Sequence, residues 1–211
     1  MNKSIQNLVK GTYEKIAKEY TEIAYSNKSY KKHLDFLASK LGPKAHILDI
    51  GCGPATATRY LAEMGFKCTG IDFSKKQIKI AEKNVPQANF VVKDFTKEKI
   101  EGKYDAVISY LSLVYVPKNQ LSKLLKKFSK NLKKNGILQI AMLYGKWIGI
   151  SKDFWGTGEP MYSVAYYKDE LRKIVESAGY RIIRIRTDVN KFKGINGETI
   201  KEKTIYLTAK I

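Results

Sequence analysis

The sequence predicts an α/β fold: a mostly parallel sheet of seven strands with an antiparallel last strand and helices on both faces. Three observations carry this reading. Strand-like and helix-like hydrophobic periods alternate along the chain, which specifies strand–helix–strand units. Asp49, Asp72 and Asp94 stand where the first three strand-like runs end, the first of them beside glycines. The last two strand-like runs have no helical segment between them, which predicts a hairpin-like antiparallel addition at the sheet edge.

Residues 5–20 and 29–40 carry apolar side chains at helical spacing, and Gly42-Pro43 stops the second helix. The apolar run 45–50 is the first strand, followed by Gly51-Cys52-Gly53-Pro54. A helix over 56–64 stops at Gly65, and a strand over 67–71 ends at Asp72. Ser74 can cap a helix to about residue 84, because its hydroxyl accepts from a free amide of the first turn. Strands over 88–93 and 104–109 come next, the second after a turn at Gly102. Pro117 opens a helix of about 15 residues, closed by Asn135-Gly136. A strand over 137–143, a helix over 168–178 with Gly179 past its end, and strands over 181–186 and 203–211 complete the chain. The last two are joined by 188–202, rich in Gly, Asn and Lys. The connection 145–167 is unusually long at 23 residues and holds Trp147, Phe154, Trp155, Tyr162, Tyr166 and Tyr167. A long aromatic connection in an α/β domain is more often functional than idle.

Composition bounds the rest. A length of 211 residues suits one domain with a real core, and 44% hydrophobic with 28% charged residues excludes a disordered chain, a collagen and a disulfide scaffold. The near-apolar run 137–144 is interrupted by Gln139 and is too short to span a bilayer. The first ten residues lack the apolar stretch of a secretory signal, and Cys52 and Cys68 set no metal pattern. The expectation is a cytoplasmic protein without a membrane span or a metal, acting as a monomer or homodimer. The net charge of +19 arises from 39 basic and 20 acidic residues. Such an excess points to nucleic acid or an anionic surface. Yet only five of the basic residues are arginines, and the lysines are scattered. Phosphate clamps favour the bidentate arginine fork, so the charge reads first as a solvated surface.

In open α/β sheets, ligands sit outside the carboxyl ends of the strands. Gly51 and Gly53 let the backbone turn tightly there and approach a ligand closely. The following helix points its positive end at the same place. Asp72, 21 residues past Gly51, can accept from both hydroxyls of a ribose. A dinucleotide fingerprint needs a third glycine where Thr56 stands, and Asp49 suits an ammonium group better than a pyrophosphate.

The run His46-Ile47-Leu48-Asp49-Ile50-Gly51-Cys52-Gly53-Pro54 resembles the first motif of class I S-adenosylmethionine-dependent methyltransferases. The resemblance continues through Gly70-Ile71-Asp72-Phe73-Ser74, Val91-Val92-Lys93-Asp94-Phe95 and Tyr104-Asp105-Ala106-Val107-Ile108-Ser109. It implies a Rossmann-like fold and one methyltransferase domain over 1–211. Within it, 1–44 form cap helices, 45–144 the cofactor-binding core, 145–167 a substrate-side loop and 168–211 a final helix and strands. The implied cofactor is S-adenosyl-L-methionine, with S-adenosyl-L-homocysteine as product. Gly51 and Gly53 are implied to lie against its methionine part and Asp49 to hold its ammonium. Asp72 is implied to bind the ribose and Phe73 the adenine ring, with Asp94 accepting from the adenine amino group beside Phe95. Ser109 and Tyr110 are implied to border the transferred methyl. Tyr13 and Tyr20 fall in a segment similar to the family's N-terminal lid. Ala55 stands where many members carry a third glycine, and Val114-Tyr115 where related small-molecule enzymes often have histidines.

The expected reaction is methyl transfer to oxygen or nitrogen of a small-molecule acceptor by in-line displacement. Tyr115, Tyr144, Trp147, Trp155 and Tyr162 are the candidate acceptor-side residues. No general base or other catalytic residue is assigned. The rival reading is methylation of RNA, another nucleic acid or a protein, using the basic surface.

Overall fold

The computed structural model describes residues 3–211. Seven strands form one sheet in the order β3-β2-β1-β4-β5-β9-β8. They are β1 (His46–Ile50), β2 (Lys67–Asp72), β3 (Asn89–Val92), β4 (Tyr104–Tyr110), β5 (Leu132–Leu143), β8 (Arg181–Lys193) and β9 (Thr199–Lys210). The ladders among β1 to β5 are parallel. β9 runs antiparallel between β5 and β8, so β8 is the edge strand. β6 (Ile148–Ser151) and β7 (Met161–Val164) pair separately as an antiparallel hairpin.

Alternation along the strands fills both faces of the sheet. On β1, Ile47 joins Leu34, Leu37 and Leu61 on one side, while Leu48 and Ile50 join Leu125, Phe128 and Leu138 on the other. The first side is covered by α3 (Lys31–Ala38) and α4 (Thr56–Glu63), the second by α6 (Lys118–Ser129) and α7 (Lys168–Ser177). The same period puts Asp49 on the Ile47 side, toward α4. The order reverses between β1 and β4, and this switch point opens a crevice at the carboxyl ends of the strands.

Four expectations need correction. The helix expected over 5–20 is two, α1 (Lys3–Lys15) and α2 (Ala17–Ser26), broken at Ile16 with φ −97° and ψ 18°. Residues 13 and 20, seven apart, would share one face of a straight helix. The break instead lets α1 cross the crevice while Ile16 and Ala17 stay buried. The helix after Pro117 ends at Ser129, well before Asn135-Gly136. That pair makes a turn, with Asn135 at φ 65°, but the turn lies inside β5. There the register against β4 jumps from Tyr104↔Leu132 to Ala106↔Ile137. The segment 145–167, expected as a loop, contains the β6–β7 hairpin. Most of the expected connection 188–202 is strand, and the ladder between β8 and β9 extends to Lys193↔Thr199. Among the described residues, no helix is long and apolar enough to cross a membrane.

Candidate active site

After β1 the chain turns at Gly51 (φ 67°), Gly53 (φ 52°) and Ala55 (φ 69°) before α4 starts. A Cβ on Gly51 would lie 2.4 Å from the Ser112 side chain, whose Oγ donates to the Gly51 carbonyl at 2.7 Å. The amides of Gly51 and Cys52 donate to the Ile71 carbonyl at 2.8 and 3.1 Å, which ties the turn to the end of β2.

Asp72 ends β2 beside this turn. Its Oδ2 accepts from the Gly53 amide at 3.0 Å and its Oδ1 from the Ser74 amide at 2.9 Å. Burial pushes its carboxyl up to about 6, against the lowering effect of those two amides. Asp94 follows β3. Its Oδ1 accepts from the Thr96 amide and hydroxyl at 3.0 and 2.6 Å, and its Oδ2 accepts from the Gln6 side chain. Phe73 and Phe95 stand beside these carboxylates in the same wall.

α1 closes the cleft as a strap with ties at both ends. Gln6 reaches Asp94, Glu14 accepts from Ser74 Oγ at 2.7 Å, and Thr12 Oγ1 donates to the Pro160 carbonyl at 2.6 Å. Tyr13 thereby points inward. Its hydroxyl bonds that of Tyr115, and its ring centre lies 4.9 Å from that of Tyr20 and 5.7 Å from that of Tyr115. Burial pushes the Tyr20 hydroxyl up to about 12. The cleft spans about 570 Å³ of space, part of it open to solvent.

Nine of the sequence-predicted residues share this cleft: Tyr13, Tyr20, Gly51, Gly53, Asp72, Phe73, Asp94, Phe95 and Tyr115. The structure places Asp49, Ser109 and Tyr110 elsewhere. Asp49 is buried behind the turn, accepting from Thr58 Oγ1 at 2.7 Å, and burial pushes its carboxyl up to about 7. Ser109 Oγ donates to the Ile50 carbonyl at 2.9 Å and ties β4 to β1. The Tyr110 hydroxyl donates to Gln139 Oε1 at 2.6 Å, beneath the ring of Tyr206. In each case strand alternation, invisible at a strand end read alone, aims the side chain away from the cleft.

The acceptor-side candidates divide as well. Trp155 lies parallel to Tyr20 with ring centres 6.0 Å apart and forms part of a second cavity beside the cleft. Tyr144 sits under the Lys203 ammonium, 4.0 Å from its ring centre, outside both cavities. Trp147 is 50% exposed and donates to Ser163 Oγ at 3.1 Å. Tyr162 is buried in the core below.

The sequence reading missed Gln6, Ser112 and Gln77. Gln77 stands three residues after the cap Ser74 of α5 (Lys75–Asn84), a spacing that reads as a capping box. Its backbone amide does donate that capping bond, Gln77 N to Ser74 Oγ at 3.2 Å. Its side-chain Oε1 and Nε2, however, are buried on the cleft wall without a partner. An unsatisfied buried amide is costly, and this one offers a donor and an acceptor to whatever fills the cleft. Together with acceptor oxygens on Asp72, two aromatic rings and a glycine turn, it suits a ligand with hydroxyls, a flat heterocycle and polar edges. The cleft lies at the switch point of an open α/β sheet, where folds of this kind bind their ligands.

Comparison with known proteins narrows the class. A family model described as a methyltransferase domain matches residues 47–136. The chain is 28% identical to an uncharacterized methyltransferase of Synechocystis over 68% of this chain and 70% of that one. It is 32% identical to a putative methyltransferase of Bacillus subtilis over 60% of this chain and 53% of that one. It spans about half the length of most of the curated relatives it matches. A solved S-adenosylmethionine-dependent methyltransferase from Methanosarcina mazei shares the fold with a TM-score of 0.69, at 19% identity, covering 83% of this chain and 96% of that one. Residues 47–136 are thus similar to a methyltransferase domain, and the fold is that of S-adenosylmethionine-dependent methyltransferases.

Proposed function

We propose that the chain binds S-adenosylmethionine in the cleft beneath α1 and transfers its methyl group to oxygen or nitrogen of a small molecule. The observation that carries this reading is the joint placement of the Gly51–Gly53 turn, Asp72 with Phe73, and Asp94 with Phe95 in one wall under Tyr13 and Tyr20. In this reading Asp72 receives the ribose hydroxyls, because its backbone ties leave acceptor lone pairs on both oxygens. Phe73 packs on the heterocycle, and Gln77 supplies the polar edge. Asp94 accepts from the exocyclic amine once Gln6 shares its Oδ2. The glycine turn lets the amino-acid part lie against the backbone. Asp49 stabilises the turn from behind through Thr58 and α4.

When bound, the cofactor supplies a methyl group on a sulfonium sulfur, already activated for displacement. The protein's own work is to align and to exclude water. Tyr13, Tyr20 and Tyr115 cover the cleft, and the Tyr13–Tyr115 bond fixes the cover. Proximity and orientation of that kind supply roughly 7–11 kcal/mol in good cases. Several curated relatives are small-molecule methyltransferases by name, among them ones for ubiquinone biosynthesis and for trans-aconitate, which supports a small-molecule acceptor.

Calorimetric titration with S-adenosylmethionine, S-adenosylhomocysteine and NAD tests the reading. Micromolar binding of the first two without NAD is expected. Binding of NAD, or of neither adenosyl ligand, overturns it.

A second reading has its own observation. Lys123, Lys126, Lys127 and Lys130 line a groove along α6 that meets the cleft at Thr96 and Val116. Methylation of RNA held there requires an affinity that falls steeply with salt. A salt-independent affinity rules it out.

A further inference from the structure

Beside the cofactor cleft lies a second cavity of about 580 Å³. The two share Tyr20 and Tyr115 as a common wall. Three features set its chemistry. First, Phe154 and Trp155 continue the aromatic lining. The rings of Phe154 and Trp155 stack 4.3 Å apart, and Trp155 lies parallel to Tyr20. Second, its ionisable residues other than tyrosine are both acidic, Asp153 and Glu202, and no lysine or arginine lines it. In a chain of net charge +19 this is the reverse of the surface average. Third, neither carboxylate joins an ion pair among the described residues. Glu202 accepts only from Thr204 Oγ1, at 3.2 Å, and that hydroxyl is fixed in turn by Asn190 Nδ2 at 3.0 Å.

An anion entering this space would meet Glu202 and the exposed Asp153, whose Oδ1 accepts from the Gly158 amide at 2.8 Å, and no counter-charge. A cation would meet π faces and those same carboxylates, interactions that strengthen when water is excluded. We propose that the methyl acceptor is an amine, held with its nitrogen at Glu202 and its carbon skeleton against Tyr20, Phe154 and Trp155. The proposal rests on the cofactor reading above, because only a donor in the adjoining cleft makes this cavity an acceptor site. It narrows the acceptor from oxygen or nitrogen to nitrogen.

Glu202 also answers for the proton. An ammonium has no free lone pair, so an amine that enters charged first gives one proton to a Glu202 carboxylate oxygen. In the transfer, the nitrogen lone pair forms the new N–C bond. The C–S bond of the sulfonium donor breaks with its electron pair on sulfur, and the methylated nitrogen carries away the positive charge that sulfur loses. The groups that face Glu202 are Tyr20 of α2, Tyr115 after β4, Asp153 of the β6–β7 connection and Tyr206 of β9. Burial pushes its carboxyl up to about 7, so it can take up a proton near neutral pH and release it again.

The test uses two probes of matched shape and opposite charge, phenethylamine and 3-phenylpropionate. Each is titrated calorimetrically into the protein loaded with S-adenosylhomocysteine. Phenethylamine is expected to bind at least about tenfold more tightly. Glu202→Gln, which keeps the bond from Thr204, is expected to lose that preference at about pH 8, where the wild-type carboxyl is ionised. Its affinity for S-adenosylhomocysteine should be unchanged. Equal or tighter binding of the carboxylate, binding of neither probe, or an unaltered preference in Glu202→Gln overturns the proposal. The comparison of the two probes on the wild-type chain stands even where the variant does not fold. Failure to bind S-adenosylhomocysteine is a separate result and counts against the cofactor reading.

Discussion

The two cavities that meet at Tyr20 and Tyr115 are built in opposite ways. The cofactor cleft takes its polar groups from three strand ends and the turns that follow, and its carboxylate Asp72 is locked by two backbone amides. The proposed acceptor cavity takes its lining from α2, the segment after β4, the β6–β7 connection and β9, and Glu202 receives a single side-chain hydroxyl. Backbone ties fix a group wherever the fold forms. Side-chain ties depend on which residues happen to face one another. The first kind of site is therefore rigid and shared by a family, while the second is free to vary with the substrate.

That comparison is sharpened first at Gly51. Gly51→Ala forces a Cβ onto Ser112 and holds an alanine at positive φ. Overpacking and the left-handed backbone together predict a loss of about 3 kcal/mol in denaturant unfolding. Combining it with Ser112→Gly should recover the packing part only. A loss below about 1 kcal/mol would mean that the turn is far more pliable than its hydrogen bonds imply.

Asp72→Ala comes next. Removing a buried charged acceptor costs about 1.5–3 kcal/mol per bond, so affinity for S-adenosylhomocysteine should fall roughly 10- to 100-fold by calorimetry. The acceptor-cavity probes should be unaffected. Unchanged cofactor affinity would remove Asp72 from the site.

The buried carboxylates predict the third outcome. Asp49 titrates near 7 in the folded chain, mainly because of burial, and Asp72 near 6, against ordinary values near 4. The folded state thus holds more protons than the unfolded state between about pH 4 and pH 7. The stability they contribute is complete below about pH 4 and is lost as pH rises through about 7. Asp94 and Asp188, held below the usual range by their hydrogen bonds, act with the opposite sign as pH falls. Asp49→Asn, which can still accept from Thr58, should raise stability at about pH 8 by about 1–2 kcal/mol and change it little at about pH 4. Equal effects at both pH values would show that folding does not raise the pKa of Asp49.

The smallest effect is expected at Ala55. Its left-handed φ favours glycine, while its methyl fills a buried pocket with Ala81 and Val85. Ala55→Gly should therefore shift stability by less than about 1 kcal/mol.

How much of this was legible follows from the range of the forces involved. Strand order and helix cover follow from local hydrophobic period, and the glycine turn and the acids at strand ends follow from short motifs, so residues 45–129 read almost directly. The exceptions were signals with two meanings. Asn135-Gly136 marks a left-handed turn, but whether it ends a helix or kinks a strand is settled by the partner strand β4. Gln77 reads as a cap, yet only the crossing of α1 buries its amide on a cleft wall. Ser109 and Tyr110 lie at a strand end in sequence, but the pleat turns them toward β1 and Gln139.

By itself, then, the sequence determined the parallel sheet, its switch point and the wall of glycines, acids and aromatic rings at its strand ends, because each is specified by residues within a turn or two of one another. Only the tertiary structure decided which of fourteen tyrosines close the cleft, and that Glu202 faces Trp155 in a cavity without cations. Those contacts join distant parts of the chain, 102 residues apart for Tyr13 and Tyr115. No local pattern encodes such pairs, since they exist only once β9 is inserted between β5 and β8.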